Sequence, residues 1–92
     1  MANSQSFESV WDALEEDPVK AENMKLRSAL MIAIVDYINT AGLTQVAAAK
    51  KMQITQPRVS ALIQGKIEAF RLDALIDLIH KLGMHVTMKI AA

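Results

Sequence analysis

The chain contains no cysteine, which removes both a disulfide framework and a thiolate metal site and fits a reducing cytoplasm. Aromatic residues make up only 4% of it, so a core has to be assembled from Leu, Ile, Val, Ala and Met. Three glycines and two prolines are few for a sandwich or barrel and point to helices. No apolar run approaches the roughly 20 residues that a membrane helix needs; the longest uncharged one covers residues 28–35. The opening "MANSQSFESVWDALEEDP" is acidic where a secretory signal is basic, so a soluble cytoplasmic protein is expected. There is no glycine-rich phosphate loop, nucleophile elbow or paired-carboxylate cleft, so nothing points to an enzyme, a cofactor or a small-molecule ligand. The two histidines, His80 and His85, lack a cysteine or a nearby pair of acids. Neither is expected to bind metal; His80 suits a helix C-terminus and His85 a surface position.

What is present is a 92-residue chain that is 52% hydrophobic, enough for one small domain with a single core. Its formal net charge is zero, which by itself argues against a nucleic-acid partner. The distribution argues the other way. Glu8, Asp12, Glu15, Glu16, Asp17 and Glu22 crowd residues 1–23 against Lys20 alone, whereas residues 43–66 hold Lys50, Lys51, Arg58, Lys66 and no acid. Such asymmetry is more informative than the sum.

Phe7, Val10, Trp11 and Leu14 recur at helical spacing, giving an amphipathic helix over about 6–17. A second helix starts at Pro18 or a little later and runs to about Thr40, striped by Leu26, Leu30, Ala33, Ile34, Tyr37 and Ile38, widened by Met31 and Val35, with Gly42 as its left-handed stop. Thr44 and Thr55 are plausible caps for two short helices, 44–51 and 55–64. The second carries a stripe of Val59, Leu62 and Ile63. The loop "GKIEAFR" leads to a last helix over about 72–82, striped by Leu72, Leu75, Ile76, Ile79 and Leu82 and stopped by Gly83. The tail "MHVTMKI" alternates, with Met84, Val86, Met88 and Ile90 on one face, which reads as a strand. The six methionines read as core filler. The expected fold class is all-α, a bundle of about five helices with a short C-terminal β-strand. Its expected parts are an acidic N-terminal helix and linker (1–23), a helix-turn-helix domain (24–83, motif 44–64) and a tail (84–92).

Two short helices joined by about three residues make a helix-turn-helix candidate. Ala49 supplies the small residue where they cross, and Val59 and Leu62 seat the second helix. Its remaining face holds Gln56, Arg58, Ser60 and Gln64 without an acid. A carboxylate there would repel phosphate, so this is the face a major groove requires.

"LTQVAAAKKMQITQPRVSALIQGK", residues 43–66, resembles the lambda-repressor-like, Xre-type helix-turn-helix family. Gln45, Ala49, Gln56, Val59 and Leu62 stand at the family's offsets. The flanking segments resemble small single-domain members of HigA type, many of them antitoxins and autorepressors encoded beside HigB/RelE-type toxins. The resemblance implies double-stranded operator DNA as a partner. Base contacts would come from Gln56, Pro57, Arg58, Ser60 and Ala61, and phosphate contacts from Gln45, Lys50, Thr55, Gln64, Lys66 and Arg71. Gln45 would brace Gln56, whose amide suits adenine. Two departures stand out. Gln53 occupies the turn position where the family usually has glycine, and Arg71 the position of a capping serine before "LD".

Two further surfaces are expected. A lone strand leaves its edge open, and pairing with its own copy through Met84, Val86, Met88 and Ile90 would give a homodimer matched to an inverted repeat. The N-terminal helix, with Phe7, Glu8, Trp11, Asp12 and Glu15, would offer an acidic docking face to a basic toxin. The expected function is a sequence-specific repressor and toxin-neutralising antitoxin. The alternatives are a protein-binding module that has kept the fold without DNA binding, and a stand-alone phage-type regulator.

Overall fold

A computed structural model describes residues 17–92 of the protein. Asp17 opens the first helix, α1 (Pro18–Thr40), its carboxylate accepting hydrogen bonds from the backbone N–H groups of Val19 and Lys20, with Pro18 in the first turn. That places an acid and a fixed φ where the unpaired N–H groups of a helix start need them. Next come α2 (Gln45–Met52) and α3 (Gln56–Ile63), a single 3-10 turn (Ile67–Ala69), and α4 (Leu72–Lys81).

α1 is the spine, packed mainly along α4 and also against α3 and the 3-10 turn, while α2 packs on α3 and α4. Its buried line is Ala21, Met24, Ser28, Met31, Ile34 and Ile38; Met31, Ile34 and Ile38 belong to the expected stripe, while Ala21, Met24 and Ser28 do not. Leu26, expected inside, is 48% exposed, and Leu30 and Tyr37 only flank the core. Ser28 is tolerated inside because its hydroxyl donates to the Met24 carbonyl oxygen at 2.8 Å. Ala48, Ala49 and Met52 of α2, Val59 and Leu62 of α3, and Leu75, Leu78, Ile79 and Leu82 at α4 complete the core around Phe70. Ile63 and Ile76, assigned to buried stripes by their spacing, are 42% and 40% exposed.

All four helices end in one way. A residue at positive φ follows the last turn (Gly42, Gln53, Gly65, Gly83). The next N–H then reaches back to a carbonyl five residues earlier: Leu43 to Ile38, Ile54 to Ala49, Lys66 to Ala61, Met84 to Ile79. These are Schellman closures, which satisfy carbonyls that a helix end leaves open. Leu43, Ile54 and Met84 use the closure to press an apolar side chain onto the core. Lys66 is exposed.

Two expectations are corrected. Among the described residues there are four α-helices and no strand; the fifth expected helix falls on residues outside those described. Residues 84–92 run without a ladder. Alternation records a preference for two faces, but a ladder needs a second strand, and every other described segment is committed to helices and their connections. Met84 packs against the core, whereas Val86, Met88 and Ile90 are exposed, Met88 by 77% and Ile90 by 86%. Methionine is therefore not uniformly core filler. The expected loop after Gly65 contains the 3-10 turn, which buries Ile67.

Candidate nucleic-acid interface

The helix-turn-helix is set by its ends. Thr44 Oγ1 accepts from the Ala47 N–H at 3.1 Å, and Thr55 Oγ1 from the Arg58 N–H at 3.4 Å. Both are N-cap bonds that fix where each helix begins. Between them Gln53 adopts φ 58°, ψ 42°, the left-handed conformation, and its N–H reaches the Ala49 and Lys50 carbonyls. The side chain at this position costs about 1 kcal/mol relative to glycine. Burying part of Ile54 just beyond the turn offsets that cost. Ala49, Val59 and Leu62 are buried, at 7%, 0% and 1% exposure, so α3 is seated by the two apolar residues one turn apart.

That seating turns Gln56, Pro57, Arg58 and Gln64 to the outside. Ser60 is half-buried and its hydroxyl accepts from Gln64 Nε2 at 3.0 Å. Ala61, expected to face a base, is half-buried against the core, since it lies beside Leu62 on the inner edge of the helix. Gln45 and Gln56 are exposed and form no hydrogen bond with each other. Two exposed amides gain little by pairing, because each already bonds to water.

The cations of the acid-free stretch are held differently. Lys50, Lys51, Arg58 and Lys66 are all exposed and none is in an ion pair among the described residues. Lys51 Nζ donates to the Tyr37 hydroxyl oxygen at 2.7 Å. The Arg58 guanidinium lies over the Phe70 ring, 4.5 Å from its centre. Lys50 and Lys51 also occupy the last turn of α2, where positive charge complements the helix dipole. Arg71 is the N-cap residue of α4, yet its side chain caps nothing and instead reaches Asp73 at 3.6 Å, both side chains being largely exposed.

Reasoning from sequence alone missed Tyr37 and Phe70. Both were assigned to core or loop, and no local signal marks a ring that will hold a cation from another element. The rings of His80 and His85 lie 5.9 Å apart, edge to face, brought together by the turn at Gly83. Among the described residues no group of three or more His, Asp or Glu is placed to hold a metal ion, and no helix is long and apolar enough to cross a membrane. Phe7, Glu8, Trp11, Asp12 and Glu15 lie outside the described residues.

Two capped helices meeting over small and apolar residues, the second presenting a polar, acid-free face, define a helix-turn-helix protein. A family model described as a helix-turn-helix domain matches residues 13–91. A solved structure assigned to the XRE family of transcriptional regulators superposes with a TM-score of 0.74 at 36% identity, over 79% of this chain and 82% of that one. No curated protein matches. The chain belongs to the helix-turn-helix domain family and is of Xre type, a family of DNA-binding transcriptional regulators.

Proposed function

We propose that the protein is a repressor that binds an inverted-repeat operator as a homodimer, and that it is the antitoxin and autorepressor of a HigB/RelE-type toxin. The observation that carries the DNA reading is the outer face of α3, exposed and free of acids, with Lys50 and Lys66, in no ion pair among the described residues, to either side in sequence. In this reading α3 enters the major groove. Gln56, Pro57 and Arg58 meet base edges, with Ser60 and Ala61 contributing less because they are half-buried. Gln45, Lys50, Thr55, Gln64, Lys66 and Arg71 hold phosphates, which position the protein without reading sequence.

Dimerisation is supported by the tail, whose Val86, Met88 and Ile90 present apolar surface to water. Two copies meeting there would fix the spacing of two recognition helices to half-sites about one DNA turn, roughly 34 Å, apart. The toxin reading rests on the acidic residues 8–17, a match in sign for a basic partner.

The test is a footprint on the DNA upstream of the protein's own gene, repeated across salt concentrations and with the neighbouring gene product added. A protected inverted repeat is expected, with log affinity falling against log salt by about 0.9 per phosphate contact. Protection absent even at low salt would leave a protein-binding module. Protection that a small basic neighbour neither joins nor alters would leave a stand-alone regulator.

A further inference from the structure

Arg58 sits where the rules of helix starts disfavour it. With Thr55 as N-cap it is the N3 residue, the position that a capping box gives to Glu or Gln. It also places a cation in the first turn of α3, at the positive end of the dipole. No acid compensates it among the described residues. What it has is Phe70, across the α3–α4 connection, with the guanidinium 4.5 Å from the ring centre. Phe70 is only 1% exposed, so the ring is anchored in the core and the arginine lies on it as on a fixed plate.

The kind of contact matters. A carboxylate partner would consume the N–H fork of the guanidinium. A ring takes only its face and leaves the donors at the edge free. Contact with the ring face therefore holds the group in place while keeping the donors that a bidentate contact to guanine O6 and N7 requires. Phe70 and Tyr37 are the only Phe, Tyr or Trp residues among those described, and each holds a cation of the motif. In a chain this poor in aromatics, that is a pointed use of them.

We propose that Phe70 is a positioning residue for DNA recognition: it holds the Arg58 guanidinium over its ring through DNA binding, so that Arg58 reads a guanine with its free N–H donors. The proposal rests on α3 being the recognition helix and adds a residue that touches no DNA.

The test uses the full chain and a duplex selected by the unsubstituted protein from a random-sequence pool, alongside duplexes with single base pairs changed. Binding is measured at a temperature where thermal unfolding shows every variant folded. Arg58→Ala should erase preference for one guanine, a loss of roughly 5- to 150-fold in discrimination. Phe70→Leu, which keeps an apolar core residue but removes the ring, should lose about fivefold or more at that same base pair, leaving the salt slope unchanged. In an Arg58→Ala background it should cost nothing further there. Equal losses from Phe70→Leu in both backgrounds would make Phe70 a core residue only and overturn the proposal.

Should Phe70→Leu fail to fold, proton NMR of the unsubstituted protein decides. Upfield ring-current shifts of the Arg58 side chain that persist in the complex support the stack, and their disappearance on binding overturns it. If the unsubstituted protein selects no sequence at all, the recognition-helix reading beneath the proposal fails with it.

Discussion

α2 and α3 each begin under a threonine hydroxyl, whereas α4 begins under Arg71, whose side chain caps nothing. At the other ends the pattern reverses. α4 closes on Gly83 at φ 84°, while the turn inside the motif closes on Gln53 at φ 58°. The motif thus starts well and turns at a cost, and the last helix starts at a cost and stops well. Both departures lie in or beside the proposed DNA face, one in the motif turn and one at a cation assigned to phosphate. Natural sequences break local rules mostly where something else is gained. The contrast separates two cases: a side chain merely tolerated in a strained place, and a cation kept there for a partner.

The largest expected effect comes from treating the two closures alike. Gly83→Ala adds a Cβ that would meet nothing within 4 Å, so its cost is conformational alone, about 1–2 kcal/mol. For a domain this small that lowers the unfolding midpoint by roughly 4–8 °C per kcal/mol. Gln53→Ala, in the same backbone conformation, should change stability by less than about 0.5 kcal/mol, because the native residue already carries the Cβ penalty. Equal losses at both sites in thermal unfolding would mean that the Gln53 side chain contributes something no described contact accounts for.

Next in size is Gln53→Gly, which relieves the strain and should stabilise by up to about 1 kcal/mol. The freedom that glycine adds to the unfolded chain offsets part of this gain, just as the freedom that alanine removes offsets part of the Gly83→Ala loss. Operator affinity should stay unchanged, measured on the footprinted fragment. A stabilised protein with weakened binding would show that the strained turn sets the angle between α2 and α3.

Most helix ends were legible in the sequence because each is decided by one or two residues acting on their own backbone: Pro18, Thr44, Thr55 and the three glycines. Burial of Ala49, Val59 and Leu62 was legible for a related reason, since on a short two-turn helix few faces are available. The face of α1 was not. With Leu26, Leu30, Met31, Ile32, Ala33, Ile34 and Val35 in one stretch, apolar side chains point in most directions, and packing against α4 selects the line through Met24 and Ser28. The tail misled because alternation belongs to one strand and a ladder to two. The Arg58–Phe70 stack was invisible because a cation over a ring has no fixed spacing, and only the fold brings those two elements together. Of the proposed interface, the helix and its polar face could be read from sequence. The arrangement of its cations could not.

The smallest and most discriminating effect is expected at Arg71. Arg71→Ser supplies the hydroxyl cap that α4 lacks and removes a cation from the positive end of a helix, two gains of the same sign. The lost contact to Asp73, at 3.6 Å between largely exposed side chains, takes little back, since surface pairs of this kind contribute little. The carboxylate of Asp73 stays in the first turn, where the dipole favours it. A net stabilisation of roughly 0.5 kcal/mol is therefore expected, read as a small rise in the unfolding midpoint. If Arg71 is kept for phosphate, the same variant should bind all DNA sequences more weakly and lower the salt slope by about one unit, with sequence preference intact. Gln53→Gly should show no such change. A variant at Arg71 that is more stable and binds DNA as before would make this departure the same kind as that at Gln53: a residue tolerated at a helix end, with no partner to account for it.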